Sequence, residues 1–325
     1  MKQNKKFVYG ISIVIIGIVF ISIAGTLFLQ NNLNKNYEKM FFTLQDDNTV
    51  SSFPSKDTWV AGEKMMYVST IKNGFLVLAT SSANDTVFAI DSKTGEIMTF
   101  QVGKTPKGVK IRPDGNFAFV ANEGSDSVTV IDLVLRLIHK EIPIGKNPHN
   151  IIFHPTEDLA FVTLQGDNMV AVIDAKRFEI ISSIPVEGSP HNLDISPDGK
   201  FLYVTNVATD DVAVINLENQ QIITRIPVSA GHHGIDVSPD GSRVYVSGIG
   251  DSVISIIDAQ SLDVIKQINV GKGPHGIRTS SDGSLLYVAV TQTNHIVEID
   301  TERLEITNSL TTGNMPFWIA IPGNP

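Results

Sequence analysis

The chain has 325 residues, a formal charge of −9 and 42% hydrophobic residues, enough apolar material for one large domain or two ordinary ones. It contains no cysteine, which excludes disulfides, thiolate metal sites, cysteine nucleophiles and covalently attached c-type haem. The negative charge, with no basic cluster beyond residues 1–6, argues against a nucleic-acid surface.

The first predicted element is a run of 23 uncharged, mainly apolar residues, Phe7 to Leu29. As a helix it would span about 35 Å, enough to cross a hydrocarbon core of about 30 Å. Three lysines in residues 1–6 precede it, so the positive-inside rule places that tail in the cytoplasm. The sequence therefore predicts a single-pass membrane anchor at 7–29, a polar stalk at 30–39 and an extracytoplasmic domain at 40–325.

A cleaved signal peptide is the alternative for this segment, because Ser22 and Ala24 are small residues at the spacing of a cleavage site. The mature protein would then be secreted. The apolar run continues through Leu29 and is long for a signal peptide, which favours the uncleaved anchor.

The rest of the chain repeats itself with a step of 42 residues. A step kept across several intervals is the signature of a repeat fold. Two columns of the repeat show it, a valine column and an Asp/Asn column: Val120, Val162, Val204, Val246 and Val288; Asp132, Asp174, Asn216, Asp258 and Asp300.

Each repeat predicts four short strands joined by tight turns. RPDG at 112, SPDG at 196 and 238, and SSDG at 280 are hairpin turns, in which aspartate bonds the local backbone and glycine takes a left-handed conformation. FLYV at 201 is apolar throughout, as in strands buried on both faces. The last strand of a unit, such as IITRIPV at 222–228, alternates and carries proline, which is typical of an edge strand.

Four such strands make a β-propeller blade, and the sequence predicts an all-β propeller of seven four-stranded antiparallel blades. Six or eight blades are the alternatives. The closing blade is predicted to combine strands from 40–60 with MPFWIAI at 315–321. The six full blades are expected near 63–103, 105–145, 147–187, 189–229, 231–271 and 273–313.

The string YVTN at Tyr203–Asn206, together with PHG at 274, SPDG, and VIN or VID, resembles the YVTN family of β-propeller repeats. The resemblance implies a domain common in archaeal and bacterial extracytoplasmic and surface-layer proteins. Its shape would be similar to that of haem d1, amine dehydrogenase and lactonase propellers. Shared shape does not establish a shared function.

Four histidines occupy one column of the repeat, predicted to lie in the loops that lead into the inner strands at one mouth of the central channel. Met65 at the matching place of the first blade and His232 beside the column would add two further donors. Imidazole with thioether suits copper, and imidazole alone suits zinc. The predicted metal ligands are His149, His191, His233 and His275, with Met65 and His232 as secondary candidates.

A structural role for the same histidines is the alternative. Repetition favours it, and Lys107 and Phe317 interrupt the column. Asp194 and Asp236 occupy matching places on inner strands, where they would either balance a bound cation or accept backbone amides. No Ser-His-Asp set or glycine-rich phosphate loop can be recognised from spacing.

Regular blades without a long insertion favour a non-enzymatic scaffold that presents its loop faces to another protein or a cell-surface polymer. One alternative is a protein that binds Cu or Zn through the histidine column, with redox activity as an option. The other is a lactonase- or lyase-like enzyme, although no catalytic motif of those enzymes matches here residue by residue.

Overall fold

Strands with both faces buried dominate the architecture. The computed structural model describes residues 38–324, except the side chains of His232 and His233. Every member of the valine column from Val120 to Val288 is at most 1% exposed. Since a single sheet cannot cover both of its own faces, each sheet needs a neighbour on either side.

The described residues form seven four-stranded sheets, which confirms the predicted fold class. Neighbouring strands pair antiparallel throughout. One short 3₁₀ helix, Glu123–Ser125, lies in a turn of the second blade. The blades, with the innermost strand first, are as follows: β4 (Met65–Thr70), β5 (Leu76–Ser81), β6 (Thr86–Asp91) and β7 (Ile97–Gln101); β8 (Pro106–Ile111), β9 (Phe117–Asn122), β10 (Ser127–Asp132) and β11 (Leu137–Pro143); β12 (Pro148–Phe153), β13 (Leu159–Leu164), β14 (Met169–Asp174) and β15 (Glu179–Pro185); β16 (Pro190–Ile195), β17 (Phe201–Asn206), β18 (Asp211–Asn216) and β19 (Gln221–Pro227); β20 (His232–Val237), β21 (Arg243–Gly248), β22 (Val253–Asp258) and β23 (Val264–Asn269); β24 (Pro274–Thr279), β25 (Leu285–Val290), β26 (His295–Asp300) and β27 (Glu305–Thr311); β28 (Pro316–Ala320), β1 (Met40–Leu44), β2 (Thr49–Phe53) and β3 (Thr58–Val60).

The innermost strands close into a ring. In the order β4, β8, β12, β16, β20, β24 and β28, each contacts the next, and β28 contacts β4. The ring therefore has seven members, and the alternatives of six and eight blades are wrong.

The closing blade joins the two ends of the described chain. Strand β28 pairs antiparallel with β1. The Thr43 hydroxyl accepts a hydrogen bond from the Trp318 amide at 3.1 Å and donates to the Met66 carbonyl at 2.7 Å, so it links three strands. In the adjoining turns, the Asp47 carboxylate accepts from the backbone and side-chain amides of Asn314, at 2.7 and 2.8 Å.

The turns between the first and second strands of each blade follow the predicted chemistry. In the fourth blade, Asp198 Oδ1 accepts from the Lys200 amide at 3.1 Å, and Gly199 has φ +75°. A left-handed residue at this place favours glycine, because a side chain would add strain. The short turn places the first strand of each blade directly beside the second.

At the opposite end of the blades, a side chain in the turn between the second and third strands bonds the loop that leads to the next blade. Asp126 Oδ1, for example, accepts from the Asn147 amide at 3.0 Å. The equivalent pairs hold four other blades in the same way: Asp85 with Thr105, Asn168 with Ser189, Asp210 with Gly231, and Asn294 with Met315.

The predicted anchor at 7–29, the tail before it and most of the stalk lie outside the described residues. Within residues 38–324 there is no helix of the length and apolarity that a membrane span requires.

Replacing Asp47 with alanine is expected to weaken the closing blade. The change removes both hydrogen bonds to Asn314 in a partly exposed turn, so we expect a loss of about 1 kcal/mol in the free energy of unfolding, measured by urea denaturation. Asp46→Ala is the matched control, because Asp46 is the exposed neighbour in the same turn. Equal losses in the two variants would show that the bonds to Asn314 do not stabilise closure.

Candidate functional site

The histidine column lies at the start of the innermost strands. His149, His191 and His275 are the second residues of β12, β16 and β24, and their side chains are buried. The sequence placed them in the preceding loops, which is wrong because strand pairing already begins one residue earlier, at the proline. We call the channel end lined by these three histidines, Lys107 and Phe317 the upper mouth.

Met65 is not the first-blade equivalent of these histidines. It pairs with Ser81 as Pro148 pairs with Leu164, so Met65 matches the proline column and Met66 matches the histidines. The outermost strand β7 lacks the one-residue β-bulge that shifts the register in blades two to six. The first repeat is therefore one residue shorter, and a constant step of 42 misaligns it.

The rings of His149 and His191 stack at the upper mouth, with centroids 3.9 Å apart. His149 Nε2 lies 2.9 Å from the Tyr67 hydroxyl, and His191 Nδ1 lies 2.9 Å from the Asn192 side-chain amide. Each of these ring nitrogens is therefore already within hydrogen-bond distance of a protein group. A metal ion at either nitrogen would have to displace that contact.

These contacts belong to a network that crosses the channel. The single Tyr67 hydroxyl hydrogen is shared between His149 Nε2 and Asn192 Oδ1, which lies 3.0 Å away. Asn192 Oδ1 also accepts from Asn150 Nδ2 at 2.6 Å. Burial raises the pKa of Tyr67 well above its ordinary value, so the hydroxyl remains protonated and available to donate.

Glu123 is the acidic member of the upper mouth. Its carboxylate lies 3.3 Å from His149 Nδ1 and 3.3 Å from Lys107 Nζ. Burial raises the pKa of Glu123, but the hydrogen bond from His149 and the charge of Lys107 outweigh it and keep the pKa below its usual value. Burial lowers the pKa of His149, so the imidazole is neutral at pH 7, with Nδ1–H donating to Glu123.

The third described histidine is held apart from this pair. The His275 ring stacks on Phe317, with centroids 3.8 Å apart. Among residues 38–324, and without the undescribed side chains of His232 and His233, no three His, Cys, Asp or Glu side chains converge as a metal site would require. The predicted ligand set of His149, His191, His233 and His275 stays a prediction.

Below the upper mouth, large side chains fill the channel. Tyr67 and Trp318 pack with ring centroids 4.3 Å apart, and Asn150 lies in the same layer. One pocket among these groups and the inner strands has a volume of about 10 Å³, no more than one water molecule needs. The two ends of the channel are therefore separate sites.

A layer of four buried charges lies beyond this plug. Lys110, Asp194, Asp236 and Arg278 are each at most 8% exposed, and each is the fifth residue of its innermost strand. Arg278 Nη1 lies 2.6 Å from Asp236 and 3.7 Å from Asp194. The four positions are separated by multiples of 42 residues in the sequence. Extending the column of the two predicted aspartates in both directions would therefore have identified Lys110 and Arg278 as well.

The two aspartates join neighbouring blades. Asp194 Oδ2 accepts from the Val237 amide at 2.8 Å, and Asp236 Oδ2 accepts from the Thr279 amide at 2.7 Å. Both aspartates thus accept hydrogen bonds from backbone amides, which is the second of the two roles expected from the sequence. Burial raises the pKa of Asp236, and the opposing charge of Arg278 at 2.6 Å limits the rise.

Comparison with protein families matches the chain to a β-propeller family. A family model described as a YNCE-like β-propeller matches residues 77–235 and 206–285, which together span more than half of the chain. No protein of curated function matches the chain by sequence.

Many solved structures share the fold. Hydrazine synthase of Kuenenia stuttgartiensis is 21% identical with a TM-score of 0.74, covering 80% of this chain and 90% of that one. A functionally unknown protein from Desulfotomaculum acetoxidans is 18% identical with a TM-score of 0.76, covering 88% and 99%. The dihydro-haem d1 dehydrogenase NirN is 15% identical with a TM-score of 0.68, covering 88% and 76%. At these identities the likeness shows the fold alone.

Replacing Tyr67 with phenylalanine is expected to lower the free energy of unfolding by about 2 kcal/mol, because it leaves buried His149 Nε2 without a donor. Tyr203→Phe is the matched control: Tyr203 is equally buried, and within residues 38–324 no hydrogen bond to its hydroxyl is found. Chemical denaturation of both variants measures the difference. If Tyr67→Phe costs no more than the control, the network does not stabilise the upper mouth.

Proposed function

Because the chain belongs to the YNCE-like β-propeller family, we propose that it is a membrane-anchored scaffold, held outside the cytoplasm, that binds another protein or a cell-surface polymer. The 23 apolar residues from Phe7 to Leu29 support the anchor, and the lysines before them support a cytoplasmic N-terminus. Secretion after cleavage of this segment is the alternative.

The observation that carries the binding role is an apolar stripe on the outer rim. Ile181, Ile223 and Ile265 are 47–54% exposed and stand at the β-bulge of the outermost strand in three consecutive blades. We call these three residues the rim stripe. Repeated exposed isoleucines beside an open sheet edge are typical of a surface that meets a partner.

The short connections support a rigid binding surface. Within residues 40–320, every segment between consecutive strands has four or five residues. Catalytic sites that exclude water commonly use a longer, mobile loop as a lid. The regular connections therefore favour a preformed surface over a lidded active site.

The rim stripe can be tested on intact cells with a membrane-impermeant cross-linker. We expect the full-length wild type to give a reproducible cross-linked product, and Ile181→Glu, Ile223→Glu and Ile265→Glu combined to reduce it by about tenfold or more, since burying an isoleucine is worth about 1.5–3 kcal/mol.

The matched control carries glutamate at Ile97, Ile138 and Ile306, which are 37–46% exposed on other blades. Equal losses in both triple variants would contradict the rim stripe as the binding surface. A propeller that the impermeant reagent never labels would contradict the extracytoplasmic location instead.

A second proposal is that the upper mouth binds Cu or Zn. The observation in its favour is the close approach of two imidazoles, His149 and His191, on adjacent blades. Neutral imidazole is a ligand for both metals, and His233 and His275 would complete the predicted set.

Metal titration of the full-length protein in detergent tests this second proposal. We expect Cu²⁺ or Zn²⁺ at about 100 times the dissociation constant to stabilise the fold by about 2.7 kcal/mol, and His149→Ala with His191→Ala to abolish the effect. His139→Ala, which removes a histidine from an outer strand, is the control. Binding no tighter than about micromolar, with no thermal stabilisation, would contradict a metal role.

A further inference from the structure

The end of the channel opposite the upper mouth opens beside a large cavity. The cavity has a volume of about 770 Å³ and lies between the first two blades, where β4 and β8 end. Its size is within the range of small-molecule sites. The chain's C-terminal residues Gly323 and Asn324 form part of its wall, and Asn324 is tethered to the Thr279 carbonyl at 2.8 Å.

Lys110 lines this cavity from the innermost strand. The residue is 8% exposed, and its ammonium makes no hydrogen bond or ion pair within residues 38–324. The nearest opposite charges, Asp194 and Asp236, are in contact with Arg278 and with backbone amides instead. The ammonium interacts with the two carboxylates only at longer range and borders the cavity, so a ligand anion at this point would give it a direct charged hydrogen bond.

The remaining charges of the cavity also favour an anion. Lys72 and Arg112 line it together with one acidic residue, Asp114, which forms an ion pair with Arg112 at 2.6 Å. With Lys110 protonated, the lining side chains thus carry three positive charges and one negative charge. An anion entering the cavity meets a net positive wall. Behind it, Arg278 balances one of the two carboxylates of Asp194 and Asp236, and Lys110 balances the other, so the wall and this layer together keep a formal charge of +1 when Lys110 is protonated.

The walls between these charges are apolar. Ile71, Leu76, Ile111, Leu133 and Val134 line the same cavity. A fully hydrated inorganic ion would leave these apolar side chains in contact with water. An apolar body attached to an anionic head would cover them.

We propose that this cavity binds a small organic carboxylate, with the carboxylate on Lys110 and the apolar body against the side chains of the first two blades. This site goes beyond the scaffold role and uses none of the rim-stripe residues, so either proposal can fail without the other.

Binding at this site is linked to a proton. Burial, together with the charge of Arg278, lowers the pKa of Lys110 to about 7 against the opposing charges of Asp194 and Asp236. The group is half neutral near pH 7 in the free protein, whereas a bound carboxylate favours the ammonium. A ligand that needs the protonated form therefore binds with full affinity well below pH 7 and loses affinity as the pH rises through 7.

Calorimetric titration of the full-length protein with acetate, hexanoate, benzoate and inorganic phosphate tests the site. We expect hexanoate or benzoate to bind at least about tenfold more tightly than acetate or phosphate, because only they carry an apolar body. Hexanoate should bind at least several-fold more weakly at pH 8.5 than at pH 6, from titration of Lys110.

Lys110→Met is expected to weaken hexanoate binding at pH 6 by about tenfold or more and to remove the dependence on pH. Val134→Trp should block the cavity from its exposed edge, and because Val134 is 66% exposed this variant keeps the fold even if Lys110→Met does not. Lys93→Met is the control, since Lys93 is an exposed cation outside the cavity. No saturable hexanoate binding at pH 6, or equal binding by wild type and Val134→Trp, would overturn the proposal.

Discussion

Each sheet of this protein has two apolar faces, and only a neighbouring sheet can cover them. This requirement forces the sheets into a closed ring, because an open row would leave two such faces in water. The seventh sheet is completed where β28 pairs with β1. There Thr43 and Asp47 accept hydrogen bonds from Trp318 and Asn314, which lie more than 260 residues away in sequence. Every other feature of the molecule depends on this closure.

Closure also decides what the channel can hold. The inner strands of seven blades lie close enough for side chains from non-adjacent blades to meet, as Tyr67 does with His149 and Asn192. The resulting plug with Trp318 divides the channel into two ends of different chemistry. One end is a hydrogen-bonded set of imidazoles, and the other is a layer of four charges beside an open cavity.

The two ends differ in how completely their polar groups are paired. At the upper mouth, both ring nitrogens of His149 and Nδ1 of His191 already lie within hydrogen-bond distance of protein groups. These contacts are those expected of histidines with a structural role. At the other end, Arg278 contacts both carboxylates, and Lys110 has no contact partner among the described residues. Lys110 meets the carboxylates only at longer range, so an anion in the cavity would give it a direct partner, and the second end has more to gain from a ligand.

The sequence by itself determined the class of fold, since a 42-residue period, PDG turns and apolar strands all reflect local backbone chemistry and burial within one blade. It also identified the histidine column, but with Met65 one residue out of place, because the first repeat is one residue shorter at β7 and a constant step of 42 does not allow for this. Only the tertiary structure decided which of these side chains meet. Contacts such as Tyr67 with His149, or Arg278 with Asp194, join residues more than 80 positions apart, and no repeat pattern specifies where ring closure brings them together.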